Sequence, residues 1–123
     1  MVTCNIPLII PVKREATSTD TFTAKTQRLN PGETIELCGI GACNANSSSK
    51  VVDMGVIRGN KVFYMKSVTL TTAGIWYFTR FQVKIPSDYQ IVFRIVTPTA
   101  GDAFTFNIFG YIEPSIMEHI PHG

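Results

Sequence analysis

Between Lys61 and Tyr111 the chain is a succession of short runs in which apolar and polar residues alternate, rich in aromatic and β-branched side chains and cut by turn signals. Runs at residues 62–72, 75–85, 89–97 and 103–112 are separated by Thr72-Ala73-Gly74, Pro86-Ser87-Asp88 and Pro98-Thr99-Ala100-Gly101-Asp102. A period of two sends successive side chains to opposite faces, which suits a half-buried strand and cannot make the single apolar stripe of a helix. This half of the chain is therefore restricted to antiparallel β-structure.

The first half follows the same rule with weaker signals. Residues 6–12 read as an edge strand or an extended arm, because Pro7 and Pro11 cannot donate ladder hydrogen bonds. Phe22, Ala24 and Thr26 alternate with polar neighbours and predict a strand. Asn30-Pro31-Gly32-Glu33 predicts a type II turn, with Pro31 presetting the first central φ and Gly32 supplying the positive one. Residues 34–37 then form a strand, and Asn44-Ala45-Asn46-Ser47-Ser48-Ser49 reads as a flexible polar loop. A strand at 51–57, interrupted at Gly55, is followed by the tight turn Arg58-Gly59-Asn60-Lys61.

The total is about eight strands with no segment of sustained helical period, which implies a sandwich or barrel. Eight strands fit a jelly roll better than a seven-stranded immunoglobulin sandwich. The Cys…Trp…Cys order of the latter is absent, since Trp76 follows all three cysteines. The expected fold is a single all-β sandwich of antiparallel strands, jelly-roll-like, spanning residues 1–123, with arms at 1–12 and 114–123.

Within residues 75–85, Ile75, Tyr77, Thr79, Phe81, Val83 and Ile85 share one face and read as core. Trp76, Phe78, Arg80, Gln82 and Lys84 share the other, aromatic at one end and charged at the opposite end. Tyr89, Ile91, Phe93 and Ile95 form a core face in the next strand, as do Phe104, Phe106 and Ile108 in the last. Val92, Val96, Phe109 and Tyr111 on the reverse faces predict a second covered surface.

At 123 residues the chain makes one domain and buries roughly two-thirds of its unfolded surface, enough for a core without staples. Charged residues are only 16 %, below the usual ~25 %. A surface that poor in charge is a liability for a free monomer, and assembly would remove it. The net charge of +2 is scattered, with Lys13-Arg14 the only adjacent basic pair, so no phosphate-binding stripe is present and nucleic acid is not an expected partner. The opening residues lack a basic region followed by a long apolar one and read as no secretion signal. No stretch approaches the ~20 apolar residues of a membrane span.

Three cysteines, Cys4, Cys38 and Cys43, are an odd number for a disulfide framework. The glycines of Cys38-Gly39-Ile40-Gly41-Ala42-Cys43 would permit a tight return closing a disulfide, but free, half-buried thiols are the expected state in a chain without a signal. His119 and His122 lack a third ligand apart from Glu118 and have Pro121 between them, so they read as a tail and not a metal site. Asp88 and Asp102 lie in turns without repeated oxygen ligands for calcium. No Ser–His or nucleophile-elbow pattern is present, and the nine acids form no sequence pair. Neither catalytic residues nor a cofactor are expected.

The candidate surface is Trp76, Phe78, Arg80 and Tyr111. Trp76, Phe78 and Arg80 admit three readings: peripheral core beside a turn, a subunit interface, where Trp, Phe and Arg are enriched, or a platform on which sugar rings stack.

The strand-turn-strand texture of 62–71, 75–85, 89–97 and 103–111, closing on Phe106-Asn107-Ile108-Phe109-Gly110-Tyr111-Ile112-Glu113, resembles the small jelly-roll structural proteins of viruses and phages. The resemblance covers roughly half the chain. It implies a non-enzymatic capsid, decoration or spike subunit in a trimer or lattice, in contact with other virion proteins and assembled in the host cytoplasm. The alternative is a carbohydrate-binding or receptor-binding sandwich with a glycan as ligand. Cupin-like enzymes share the architecture but need several histidines on core strands, and both histidines here lie in the tail.

Overall fold

The computed structural model describes residues 6–26 and 31–113, with side chains from Ile9 onward. The expected strands are all present: β1 (Ile6–Glu15), β2 (Phe22–Lys25), β3 (Thr34–Asn44), β4 (Lys50–Arg58), β5 (Lys61–Leu70), β6 (Tyr77–Pro86), β7 (Gln90–Val96) and β8 (Ala103–Glu113). They form two four-stranded antiparallel sheets, a first of order β1-β8-β3-β6 and a second of order β2-β7-β4-β5. The pairs β1–β8, β2–β7, β3–β6 and β4–β5 are successive rungs of one long antiparallel ribbon that turns back at Gly59-Asn60. Folding the ribbon on itself puts alternate rungs in different sheets. The result is the jelly-roll order.

The inner faces meet through the residues that the alternation assigns to the core. Phe93 of β7 stacks on Phe106 of β8 across the two sheets, with centroids 4.1 Å apart and planes inclined by 10°. Phe22 of β2 meets Phe104 edge-on at 6.5 Å. Leu37, Ile40, Val52, Met54, Ile91, Ile95 and Ile108 fill the rest of the layer and are buried.

Edge position explains the prolines of β1. The strand pairs only with β8, Pro7 opposite Tyr111 and Pro11 opposite Asn107. Residues of one parity in such a strand point their N–H groups outward, so proline there removes no ladder bond and leaves the free edge a poor template for another strand. The described part of the segment read as an edge strand or an arm is thus an edge strand, whereas residues 114–123 lie outside the described residues.

Cys38 and Cys43 are free thiols, as expected, and the segment between them continues β3 instead of making the tight return that its glycines would permit. Two local expectations change. Ile75 is not core. It precedes β6 in the 71–76 connection and is half exposed. Residues 45–49 are tied down by hydrogen bonds: Asn44 Nδ2 donates to Ser47 O at 3.2 Å, Asn46 Nδ2 to Gly101 O at 2.6 Å, and Ser47 Oγ to Asp102 Oδ1 at 2.5 Å. The Asp102 carboxylate also accepts from Thr99 N at 2.9 Å, so this buried acid is a loop staple. Gly32 has the expected φ of 83°, while Asn30 lies outside the described residues.

Candidate functional site

The outer face of the first sheet gathers all four candidate residues. Its rows can be read from the register: Pro7, Tyr111, Glu36 and Lys84 in one, then Ile9, Phe109, Gly39 and Arg80, then Pro11, Asn107, Gly41 and Phe78. Trp76 lies just before β6, with its ring 3.4 Å from where a Cβ on Gly41 would stand. Trp76, Phe78 and Tyr111 are 49 %, 58 % and 42 % exposed, and Ile9 is 65 % exposed. The peripheral-core reading of Trp76 and Phe78 is therefore set aside.

Gly39 and Gly41 explain how two large rings can lie against this sheet. A Cβ on Gly39 would come within 2.3 Å of Phe78 Cζ. Bare backbone on β3 makes a shallow tread on which Phe78 and Trp76 rest. Phe109 leans on Phe78 with centroids 5.7 Å apart and planes at 55°. The same glycines that suggested a turn in the sequence are strand residues covered by aromatics; a glycine signals close approach as readily as a bend.

The turn that presents Trp76 is anchored at three points. Thr72 N donates to the Tyr77 hydroxyl at 2.9 Å, Gly74 N to Asn44 O at 2.8 Å, and Ser49 N to Thr71 O at 3.1 Å. Accepting from Thr72 holds the Tyr77 phenol below its ordinary pKa, because the bond favours the phenolate.

Beside the tread the sheet is irregular. Between Leu37 and Gly39 the register advances two residues on β3, three on β6 and one on β8. Extra residues that cannot pair kink a sheet locally. Here they leave a shallow open groove of about 660 Å³ between β3 and β6, lined by Glu36, Cys38, Phe78, Arg80, Phe81 and Gln82. Neither the Glu36 carboxylate nor the Arg80 guanidinium has an ion pair or side-chain hydrogen bond among the described residues. Lys84, opposite Glu36, pairs instead with Glu113 at 3.1 Å. Sequence alternation showed the aromatics of this face but missed Glu36 and the groove. A bulge in β6 has no signature in its sequence, and the strand expected at residues 34–37 stops short of Gly39.

Elsewhere, Asp88 pairs with Arg58 at 3.0 Å and Asp102 staples the loops, which explains both turn acids without a cation. Among the described residues no group of three or more His, Cys, Asp or Glu could hold a metal ion, and no helix is long and apolar enough to cross a membrane. His119 and His122 lie outside the described residues. No protein-family model matches the chain, and no curated protein matches it.

Proposed function

We propose that this chain is a non-enzymatic structural subunit of a virion that works through contacts between subunits, made by the outer face of the first sheet. The observation that carries the proposal is the continuous aromatic surface of Trp76, Phe78, Phe109 and Tyr111 with Ile9, left uncovered on the outer face of the first sheet; the exposed apolar residues of β5, Val62, Phe63 and Met65, lie apart from it on the second sheet. Trp, Tyr and Arg are the residues that dominate binding energy at protein interfaces. The jelly-roll order supports the reading, since capsid proteins use it, although lectins and cupins do too. The subunit would stand in a trimer or lattice with other virion proteins, assembled in the host cytoplasm.

A glycan is the rival occupant. Stacking on sugars favours flat, coplanar rings, and the 55° between Phe78 and Phe109 makes a ridge instead. Light scattering over a concentration series tests the choice. The wild-type chain is expected to form a closed assembly, and Trp76→Ala to dissociate it with an unchanged circular dichroism spectrum. A monodisperse monomer at high concentration, or an assembly indifferent to the substitution, overturns the proposal. Quenching of Trp76, the sole tryptophan, by a glycan in a screen would assign the face to carbohydrate.

A further inference from the structure

Glu36 and Arg80 are the two charged side chains of the bulge groove, and neither has a partner in its own chain among the described residues. The bulge is the reason. Glu36 sits in register with Lys84, Arg80 with Gly39, and the extra residues of β6 lie between them. The second sheet supplies the comparison within the same molecule. There Asp53 and Arg94 are in register on adjacent strands, and Arg94 donates to Asp53 Oδ2 from Nε at 2.9 Å and from Nη2 at 2.7 Å. Where the sheet is regular, acid and arginine close on each other. Where it is bulged, they are held apart and open to a partner.

We propose that the partner on this face is a second copy of the same chain, related by a two-fold axis that brings Glu36 of each copy to Arg80 of the other. The inference rests on the reading that the aromatic face is a subunit contact, and adds the partner and the symmetry. A two-fold contact uses one self-complementary patch twice, whereas a ring contact joins two different surfaces. Here the acid and the base belong to one groove on one face. An axis lying in the plane of the contact and bisecting the line from Glu36 to Arg80 exchanges their positions, so one operation satisfies four charged groups. Charge complementarity is thus built into the patch, and an unrelated partner would have to reproduce it.

The area is of the right order. Rings of 150–250 Å² each, half exposed at Trp76, Phe78 and Tyr111, present roughly 300 Å². Ile9, Phe109, Asn107, Gln82 and the charged pair extend the patch toward the ~800 Å² per partner of a standard stable interface.

Charge reversal tests the inference. Both residues are outer-face side chains, so Glu36→Lys and Arg80→Glu are expected to fold with unchanged circular dichroism. Each alone places like charges at both pairings and is expected to weaken dimerisation at least about tenfold, read as Kd by analytical ultracentrifugation. An equimolar mixture of the two variants is expected to recover a 1:1 dimer of wild-type affinity, because the mixed pair again sets opposite charges together. The double variant is expected to dimerise by itself. Failure of the mixture to recover, or a trimer as the smallest assembled unit, overturns the two-fold pairing. Indifference to both reversals while Trp76→Ala still dissociates the assembly overturns it too, and leaves the subunit-contact reading standing. A wild-type monomer defeats both.

Discussion

Asp53 with Arg94 on the second sheet and Glu36 with Arg80 on the first bring the same chemistry to adjacent strands, with opposite results. On the second sheet the pair closes, and the Arg94 guanidinium lies 4.4 Å from the Tyr64 ring. The bond from Asp53 raises the arginine's pKa above its ordinary value, so the cation is never in question. Val92, on the same outer face, is 1 % exposed. On the first sheet the aromatics lie over glycine instead of over a neutralised ion pair, and remain half exposed. The second sheet also carries a bulge, between Met54 and Gly55, but it falls on the β4–β5 side and leaves the β4–β7 register intact. Whether a sheet face satisfies itself depends less on which residues it holds than on whether an irregularity separates them.

The largest expected effect separates the two bulge glycines. A Cβ on Gly55 would stand 1.9 Å from the Phe63 carbonyl oxygen, a backbone atom that cannot swing away. Gly55→Ala is expected to cost about 3 kcal/mol in urea unfolding, the upper part of the range for overpacking. Gly39→Ala meets only the far end of the exposed Phe78 ring and is expected to cost less than about 1 kcal/mol while shifting the aromatic surface. Equal losses would show that Phe78 is pinned, and that the two sheets are built alike.

Next in size are the acids. Asp53→Ala deprives Arg94 of its acceptor and is expected to lower the unfolding midpoint, less than Gly55→Ala does and by an amount that shrinks in high salt. Glu36→Ala, measured where the chain is monomeric, is expected to leave the midpoint in place. A matching loss would reveal an intrachain partner for Glu36 and erase the contrast.

The smallest effect concerns the turn beneath Trp76. Tyr77→Phe removes the acceptor of the Thr72 N–H and is expected to loosen the turn, read as a slight red shift of Trp76 emission with the fold retained. In the wild type, Tyr77 is expected to ionise below the ordinary range of a phenol, read as the difference between the ultraviolet titrations of the wild type and Tyr77→Phe. Its lowered pKa adds stability above the unfolded-state value, and that contribution is lost as pH falls through the folded one. Ionisation of Tyr77 in the ordinary phenol range would mean that the turn is not anchored there.

Much of this was legible in the residues. Alternation in 77–85, 91–95 and 104–108 assigned the core faces correctly, because burial on one side of a strand leaves a period-two trace. Pro31-Gly32, Gly59-Asn60 and Pro86-Ser87-Asp88 marked turns, because those backbones have few alternatives. Parity set Trp76, Phe78 and Tyr111 opposite the core faces but left open whether that side is covered or exposed, which the fold decides. Ile75 could not be placed, since parity says nothing once the strand has ended. Gly39 and Gly41 could not be assigned, because a glycine permits both a reversal and the close approach of a ring, and only the rings of Phe78 and Trp76 decide between them.

Local sequence thus determined the number of strands, their inner and outer faces and the positions of most turns, all of which depend on near neighbours and a repeating backbone. Tertiary structure alone decided which strand lies beside which, where β3 and β6 slip past each other, and hence that Glu36 and Arg80 share a groove without meeting. Those features depend on contacts between strands far apart along the chain, and a slip of one residue leaves no mark on the alternation of either strand.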